Sequence, residues 1–104
     1  MLRMTLDQFR GSLEDPAPPP VLSSLLAALW WDAKGNWDRG HDIAQSEGEQ
    51  GNAEEAAWVH AYLHRKEGDV SNSGYWYGRA GQPVPNTTSD EEWRQIVTAL
   101  LDRL

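Results

Sequence analysis

Two histidines one helical turn apart are the residues of this chain whose spacing best suits a chemical site. His60 and His64 are four positions apart, which lets two imidazoles on one helix reach the same metal ion. Val59 and Ala61 flank His60, so the glutamate that acts as general base in metallopeptidase helices is missing. Four further residues could complete a ligand set: Asp38, His41, Asp42 and Glu67.

A histidine pair at this spacing also suits a structural role. Such imidazoles form hydrogen bonds with carboxylates or backbone carbonyls where helices pack, and from the sequence alone we favour this interpretation. We therefore predict no bound metal and no cofactor. The alternative is a metal-binding or small-ligand-binding domain, with or without enzymatic activity, centred on His60 and His64 with His41 as a third candidate ligand.

The other reactive side chains form no catalytic pattern. Serines occur at positions 12, 23, 24, 46, 71, 73 and 89, yet none lies in a nucleophile elbow or beside a suitably spaced histidine. The acidic runs at 47–49 and 90–92 are typical of a solvated loop and of a helix start, where negative charge favours the helix dipole. We predict no catalytic residues and a non-enzymatic function.

Length, composition and charge indicate the number of domains, the cellular compartment and the kinds of partner to expect. The 104 residues suffice for one domain, and six tryptophans supply much of its apolar area. A formal net charge of −7 opposes binding to nucleic acid or to an anionic membrane. The absence of cysteine excludes disulfides and thiolate metal sites and fits a reducing compartment. With no apolar run of a signal peptide or a membrane span, we expect a cytoplasmic protein.

Turn and capping residues divide the chain into about six helices, and no segment alternates as a strand should. Thr5 with Gln8 and Ser89 with Glu92 have the form of capping boxes, and Gly35 and Gly68 follow helical patterns as terminators. A proline-rich segment after the first helix forms a stiff connector. The sequence therefore predicts an all-α fold, with helices near residues 6–13, 21–34, 37–46, 53–67, 71–80 and 89–104.

Two of these helical hairpins resemble tetratricopeptide or Sel1-type repeats. Gly35 and Gly68 lie 33 residues apart, close to the period of about 34 residues of tetratricopeptides. The second hairpin carries the family's order of aromatic, small and turn residues: Trp58, Ala61, Gly68, Asp69, Ser73, Tyr77, Ala80 and Pro85. The first hairpin matches it more loosely: Leu25, Ala28, Gly35, Asn36, Gly40 and Ala44.

This resemblance implies a single helical-repeat domain over residues 1–104. Residues 21–85 would form two stacked hairpins, 1–20 an N-terminal helix with its connector, and 86–104 a C-terminal capping helix. The segments 30–35, 62–69 and 75–77 also resemble a family of small uncharacterised microbial proteins, a resemblance that implies no activity.

The repeat resemblance also implies a function in protein binding. In tetratricopeptide-like proteins the first helices of the hairpins line a concave groove that holds peptides, and aromatic and basic side chains there could bind an acidic partner. We favour a core position for Trp58 and Tyr62, because large aromatics are mostly buried, and consider Tyr75 with Arg79 the better exposed pair. The candidate binding residues are Trp58, Tyr62, Arg65, Lys66, Tyr75 and Arg79.

Adjacent tryptophans at positions 30 and 31 point about 100° apart on a helix, so at least one should leave the main core face. We expect Trp31 to pack against the Trp37 helix or to lie at an interface. Self-association of the domain through such a patch is a further alternative.

Overall fold

The predicted helices all occur in the structure, a computed structural model that describes residues 4–103. No strand occurs within this range, so the all-α fold is confirmed. None of the helices in residues 4–103 is long and apolar enough to cross a lipid bilayer. The helices are α1 Leu6–Gly11, α2 Ser24–Ala33, α3 Trp37–Gly48, α4 Ala53–Glu67, α5 Val70–Ala80 and α6 Ser89–Leu101, with a short 3-10 helix at Ser12–Glu14.

Local capping signals set several of these helix ends as predicted. Thr5 and Gln8 form a reciprocal capping box at the start of α1. The side chain of Asn36 accepts a hydrogen bond from a backbone amide of α3, and Asp69 does the same for α5. Gly68 ends α4 in the left-handed conformation, with a φ of 91°.

The start of α2 and the cap of α6 differ from the prediction, because hydroxyl groups that were not predicted as caps hold these two helix ends. The hydroxyl of Ser23 accepts from the backbone of Leu26, so α2 begins three residues later than expected. Thr88, rather than the predicted Ser89, caps α6. The predicted capping box was therefore wrong, and Glu92 points into the protein instead of back to the cap.

Helices α2 and α3 pair closely, as do α4 and α5, and α3 packs against α4. Small residues make these approaches possible: Gly40 lies so near α2 that an added Cβ would stand 2.7 Å from the carbonyl oxygen of Ala28. Ala61 and Ser73 are buried on α4 and α5. Two hairpins joined through α3 and α4 are the arrangement that the predicted repeat requires, while the relationship to the tetratricopeptide family stays a prediction.

Helix α6 lies across the first helices of both hairpins. It packs against α2, α4 and α1, and the indole Nε1 of Trp93 donates to the carbonyl of Leu29 at 3.1 Å. Phe9 of α1 packs against the Trp93 ring. Because α2 and α4 are the helices expected to line a peptide groove, α6 covers a surface that the sequence alone left open. Besides Trp93, the apolar residues that α6 contributes to the core are Ile96, Val97, Leu100 and Leu101.

Candidate metal centre

The chain contains three histidines, and the packing of α3 on α4 brings all three together. His41 projects from α3, while His60 and His64 lie one turn apart on α4. One ring nitrogen from each histidine lies within 4.8 Å of the other two. The Nε2 atoms of His41 and His60 are 2.9 Å apart. His41 is the third candidate ligand predicted from the sequence, and the fold places it next to His60 and His64 of α4.

Two tryptophans pack against His41, His60 and His64, which we together call the histidine cluster. Trp37, one turn before His41 on α3, stacks on its imidazole at 4.9 Å and meets His64 edge-on. Trp76 of α5 stacks on His60 at 4.1 Å. His60 and His64 are consequently buried, whereas the His41 side chain keeps 20% of its surface exposed. Solvent therefore reaches the cluster from the α3 side.

A carboxylate fixes the hydrogen position on His64. The Oε2 atom of Glu67 lies 2.6 Å from Nδ1 of His64, so this nitrogen carries the hydrogen and donates it. The other nitrogen, Nε2, has a weak contact with the side-chain amide of Asn72 at 3.4 Å. A histidine whose remote nitrogen is held by a carboxylate is oriented as metal-binding histidines commonly are.

Burial keeps His60 neutral. Loss of hydration, together with the neighbouring His41 and His64, lowers its pKa from 6.5 to about 4. At neutral pH the imidazole of His60 therefore offers a lone pair that no proton occupies.

A second group of metal-type side chains is less well built. His64, Glu67 and Asp69 also have ligand atoms within 4.8 Å of one another, but Glu67 and Asp69 are exposed. Asp69 already caps α5, and Glu67 is bonded to His64. The exposed carboxylate of Asp42 lies 3.8 Å from Nδ1 of His41.

The side chains predicted as a peptide-binding surface have a different distribution. Tyr62 is buried, and its hydroxyl donates to the carboxylate of Asp32 at 2.8 Å. Lys66 donates to the other oxygen of Asp32 at 3.0 Å. These two residues thus secure a buried carboxylate, and the expected core position of Tyr62 is confirmed.

Arg65, the residue before Lys66 on α4, is also paired with a buried carboxylate. Its guanidinium donates to the buried carboxylate of Glu92 at 3.0 Å and to the carbonyl of Thr87. The hydroxyl of Tyr77 also donates to Glu92, at 2.7 Å. Burial and this carboxylate raise the pKa of Tyr77.

The remaining candidates for the peptide-binding surface are Trp58, Tyr75 and Arg79. Trp58 is half-buried and packs on the core. Tyr75 and Arg79 are exposed and bonded to each other at 3.0 Å, with Arg79 above the rings of Tyr75 and Trp76. The six candidates therefore do not share one surface: Tyr75 and Arg79 border the histidine cluster through Trp76, whereas Arg65 and Lys66 are paired with buried carboxylates.

Sequence reasoning missed the residues that support these sites. Trp37 carried a usable signal, because it precedes His41 by one helical turn and rings at that spacing meet. Asp32 and Glu92 carried none, since their partners are supplied by distant helices. Trp31 behaves as expected: it is half-buried, and Arg39 of α3 stacks on its ring at 4.3 Å.

Comparison with protein-family models, curated proteins and solved structures finds no match to this chain.

Proposed function

We propose that this domain binds a divalent transition-metal ion, of which zinc is the best example, through His41, His60 and His64. The observation that carries the proposal is that all three histidines of the chain, drawn from two helices, place one ring nitrogen each within 4.8 Å of the other two. Imidazole nitrogen is a preferred ligand of zinc, copper and nickel. This is the alternative that the sequence offered, and it now has the stronger support.

The separation of the ring nitrogens suits a common metal ion. With zinc–nitrogen distances of about 2.0–2.1 Å, two ligands of a tetrahedral site lie roughly 3.3 Å apart. The 2.9 Å between the Nε2 atoms of His41 and His60 is close to that value. Because one ring nitrogen of each histidine already lies within 4.8 Å of the other two, small movements of the rings would bring all three to the distances of a metal site. Three protein ligands would leave a fourth position for water or another ligand, on a cluster that solvent reaches beside His41.

The surroundings of the cluster add support. Glu67 holds the hydrogen of His64 on Nδ1, which leaves Nε2 ready to bind, and the lowered pKa of His60 removes proton competition at neutral pH. The stacking of Trp37 and Trp76 limits the movement of the imidazoles. An ordered set of donors loses less entropy on binding an ion.

Peptide binding receives less support from the same contacts. Arg65 would have to release the buried carboxylate of Glu92 before it could hold an acidic peptide, and Lys66 is held separately against the buried carboxylate of Asp32. Helix α6 also covers α2 and α4. Tyr75 with Arg79 is the exposed remainder of the predicted surface.

Titration of untagged protein with Zn²⁺, followed by calorimetry and native mass spectrometry, tests the proposal. We expect one ion per chain, and Co²⁺ in place of zinc should give the visible absorption of a tetrahedral nitrogen site. Alanine at any one of the three histidines should weaken binding by about 100-fold or more. Glu67→Gln should weaken it less, by about tenfold, since Glu67 acts through His64.

Gln45→Ala is the matched control, because Gln45 is exposed one turn beyond His41 on the same helix. This variant should bind zinc as the original chain does. The proposed site is ruled out if the original chain does not bind one zinc ion. It is also ruled out if each of the three single histidine variants binds zinc as well as the original chain does.

A further inference from the structure

A second candidate site is formed by residues outside the histidine cluster. A cavity of about 540 Å³ opens between α1, α2, α4 and α6, and none of its lining residues belongs to the histidine cluster. Its volume is within the range of about 300–1,000 Å³ that is usual for small-molecule sites. Its apolar wall consists of Leu13, Ala33 and Trp93, with Trp93 fixed by its bond to the backbone of Leu29.

One side of the cavity carries the ammonium group of Lys66, which an ion pair with Asp32 holds in place. Asp32 is buried there, and its two carboxylate oxygens are occupied by Tyr62 and Lys66. The ammonium of Lys66 has three N–H donors, of which Asp32 takes one. The rest of that ammonium is available to a molecule in the cavity, and the bond to Asp32 holds it in position.

Two arginines that line the same cavity have no hydrogen-bond or ion-pair partner among residues 4–103. They are Arg10 of α1 and Arg94 of α6, and both are exposed. With Lys66 they are three of the nine basic residues of a chain whose net charge is −7. The acidic residues that line the cavity are Asp32, already neutralised by its partners, and Asp90. With three basic and two acidic side chains, the cavity lining has a formal net charge of +1 in a molecule whose overall charge is −7.

We propose that this cavity binds a small organic anion. Its carboxylate or phosphate group would accept hydrogen bonds from Arg10, Arg94 and Lys66, because guanidinium groups match the oxygen geometry of both anions. Its carbon skeleton would lie against Trp93 and Leu13. This proposal does not depend on the metal centre, since the two sites share no residue.

The test is an NMR titration of the ¹⁵N-labelled, metal-free protein with two probes, succinate and inorganic phosphate. The side-chain N–H signals of Arg10, Arg94 and Trp93 should shift and saturate with at least one probe. Saturation by succinate alone identifies a carboxylate ligand, by phosphate alone a phosphate ligand, and by both an oxyanion site of either class. Each of these three results supports the proposal.

The double variant Arg10→Gln, Arg94→Gln should bind the effective probe about tenfold more weakly. Arg39→Gln removes an exposed arginine elsewhere and should change nothing. The proposal is overturned if neither probe saturates, if chloride reproduces the shifts, or if the double variant binds as well as the original chain. Should that variant fail to fold, the saturation result with the original chain decides.

Discussion

His60 illustrates at the residue scale how packing changes the chemistry of one side chain. Its imidazole is enclosed by Trp76 on one face and by two other histidines, so the protonated form loses hydration and meets no carboxylate of its own. Glu67 is bonded to His64, and the carboxylate of Asp42 lies beside His41. The neutral form of His60 is therefore the one that the fold stabilises.

This environment predicts a pH-dependent stability for the metal-free protein. Between the ordinary pKa of 6.5 and the native value of about 4, the unfolded chain binds a proton at His60 that the native protein does not. Stability should be fully present above pH 6.5 and should fall by roughly 3 kcal/mol as the pH approaches 4. Urea unfolding at several pH values, with a chelator present, measures this loss.

His60→Gln isolates the contribution of this histidine to the pH dependence from that of all other groups. The variant should lose markedly less stability over the same pH interval. An identical pH profile for both proteins would assign the effect to other groups.

Arg65 and Arg79 form a matched pair of arginines in different environments. Arg65→Gln would leave Glu92 buried with Tyr77 as its remaining partner, and should cost about 2–3 kcal/mol. Arg79→Gln alters an exposed side chain, so its effect should stay within about 0.5 kcal/mol. Denaturant midpoints of the two variants provide the comparison, and equal effects would mean that the ion pair with Glu92 contributes nothing.

At the scale of helices, the close approach of α2 and α3 depends on one glycine. Gly40→Ala would press a methyl group onto the carbonyl oxygen of Ala28 and should destabilise the fold by about 1–3 kcal/mol. The control is Gly74→Ala on α5, where nothing lies within 4 Å of the added carbon. That variant should be stabilising by about 0.5–1 kcal/mol, because alanine favours a helix.

Thermal unfolding of the two glycine variants measures both effects. A melting temperature for Gly40→Ala equal to that of the original chain would show that α3 can move away from α2. Such movement would also bear on the metal centre, because α3 carries His41 to the pair on α4.

At the scale of the whole molecule, a metal ion held by α3 and α4 would join the two hairpins. An ion that binds only the native state stabilises it by about 2.7 kcal/mol when its free concentration is 100 times Kd. For a domain of this size the melting temperature should rise by roughly 10 °C. Calorimetry with and without Zn²⁺ measures the rise, which His41→Ala should abolish. A melting temperature that does not respond to zinc would contradict the proposed function.

Local sequence determined the helices and most of their ends. Thr5, Asn36, Gly68 and Asp69 act on backbone groups within a few residues of themselves, so their effects can be predicted without knowing the fold. The exceptions are the start of α2, which lies three residues later than predicted, and the cap of α6. A cap displaced by one residue turned Glu92 from the helix end into the core.

Only the tertiary structure decided which side chains meet across helices. The spacing of His60 and His64 suggested a site, but His41 became its third member because α3 packs along α4. Arg65 and Lys66 looked like free cations until α6 and α2 brought buried carboxylates to them. The physical reason is range. Capping and periodicity act through backbone hydrogen bonds between near neighbours, whereas burial, ion pairing and metal coordination depend on distances that only the packed helices fix.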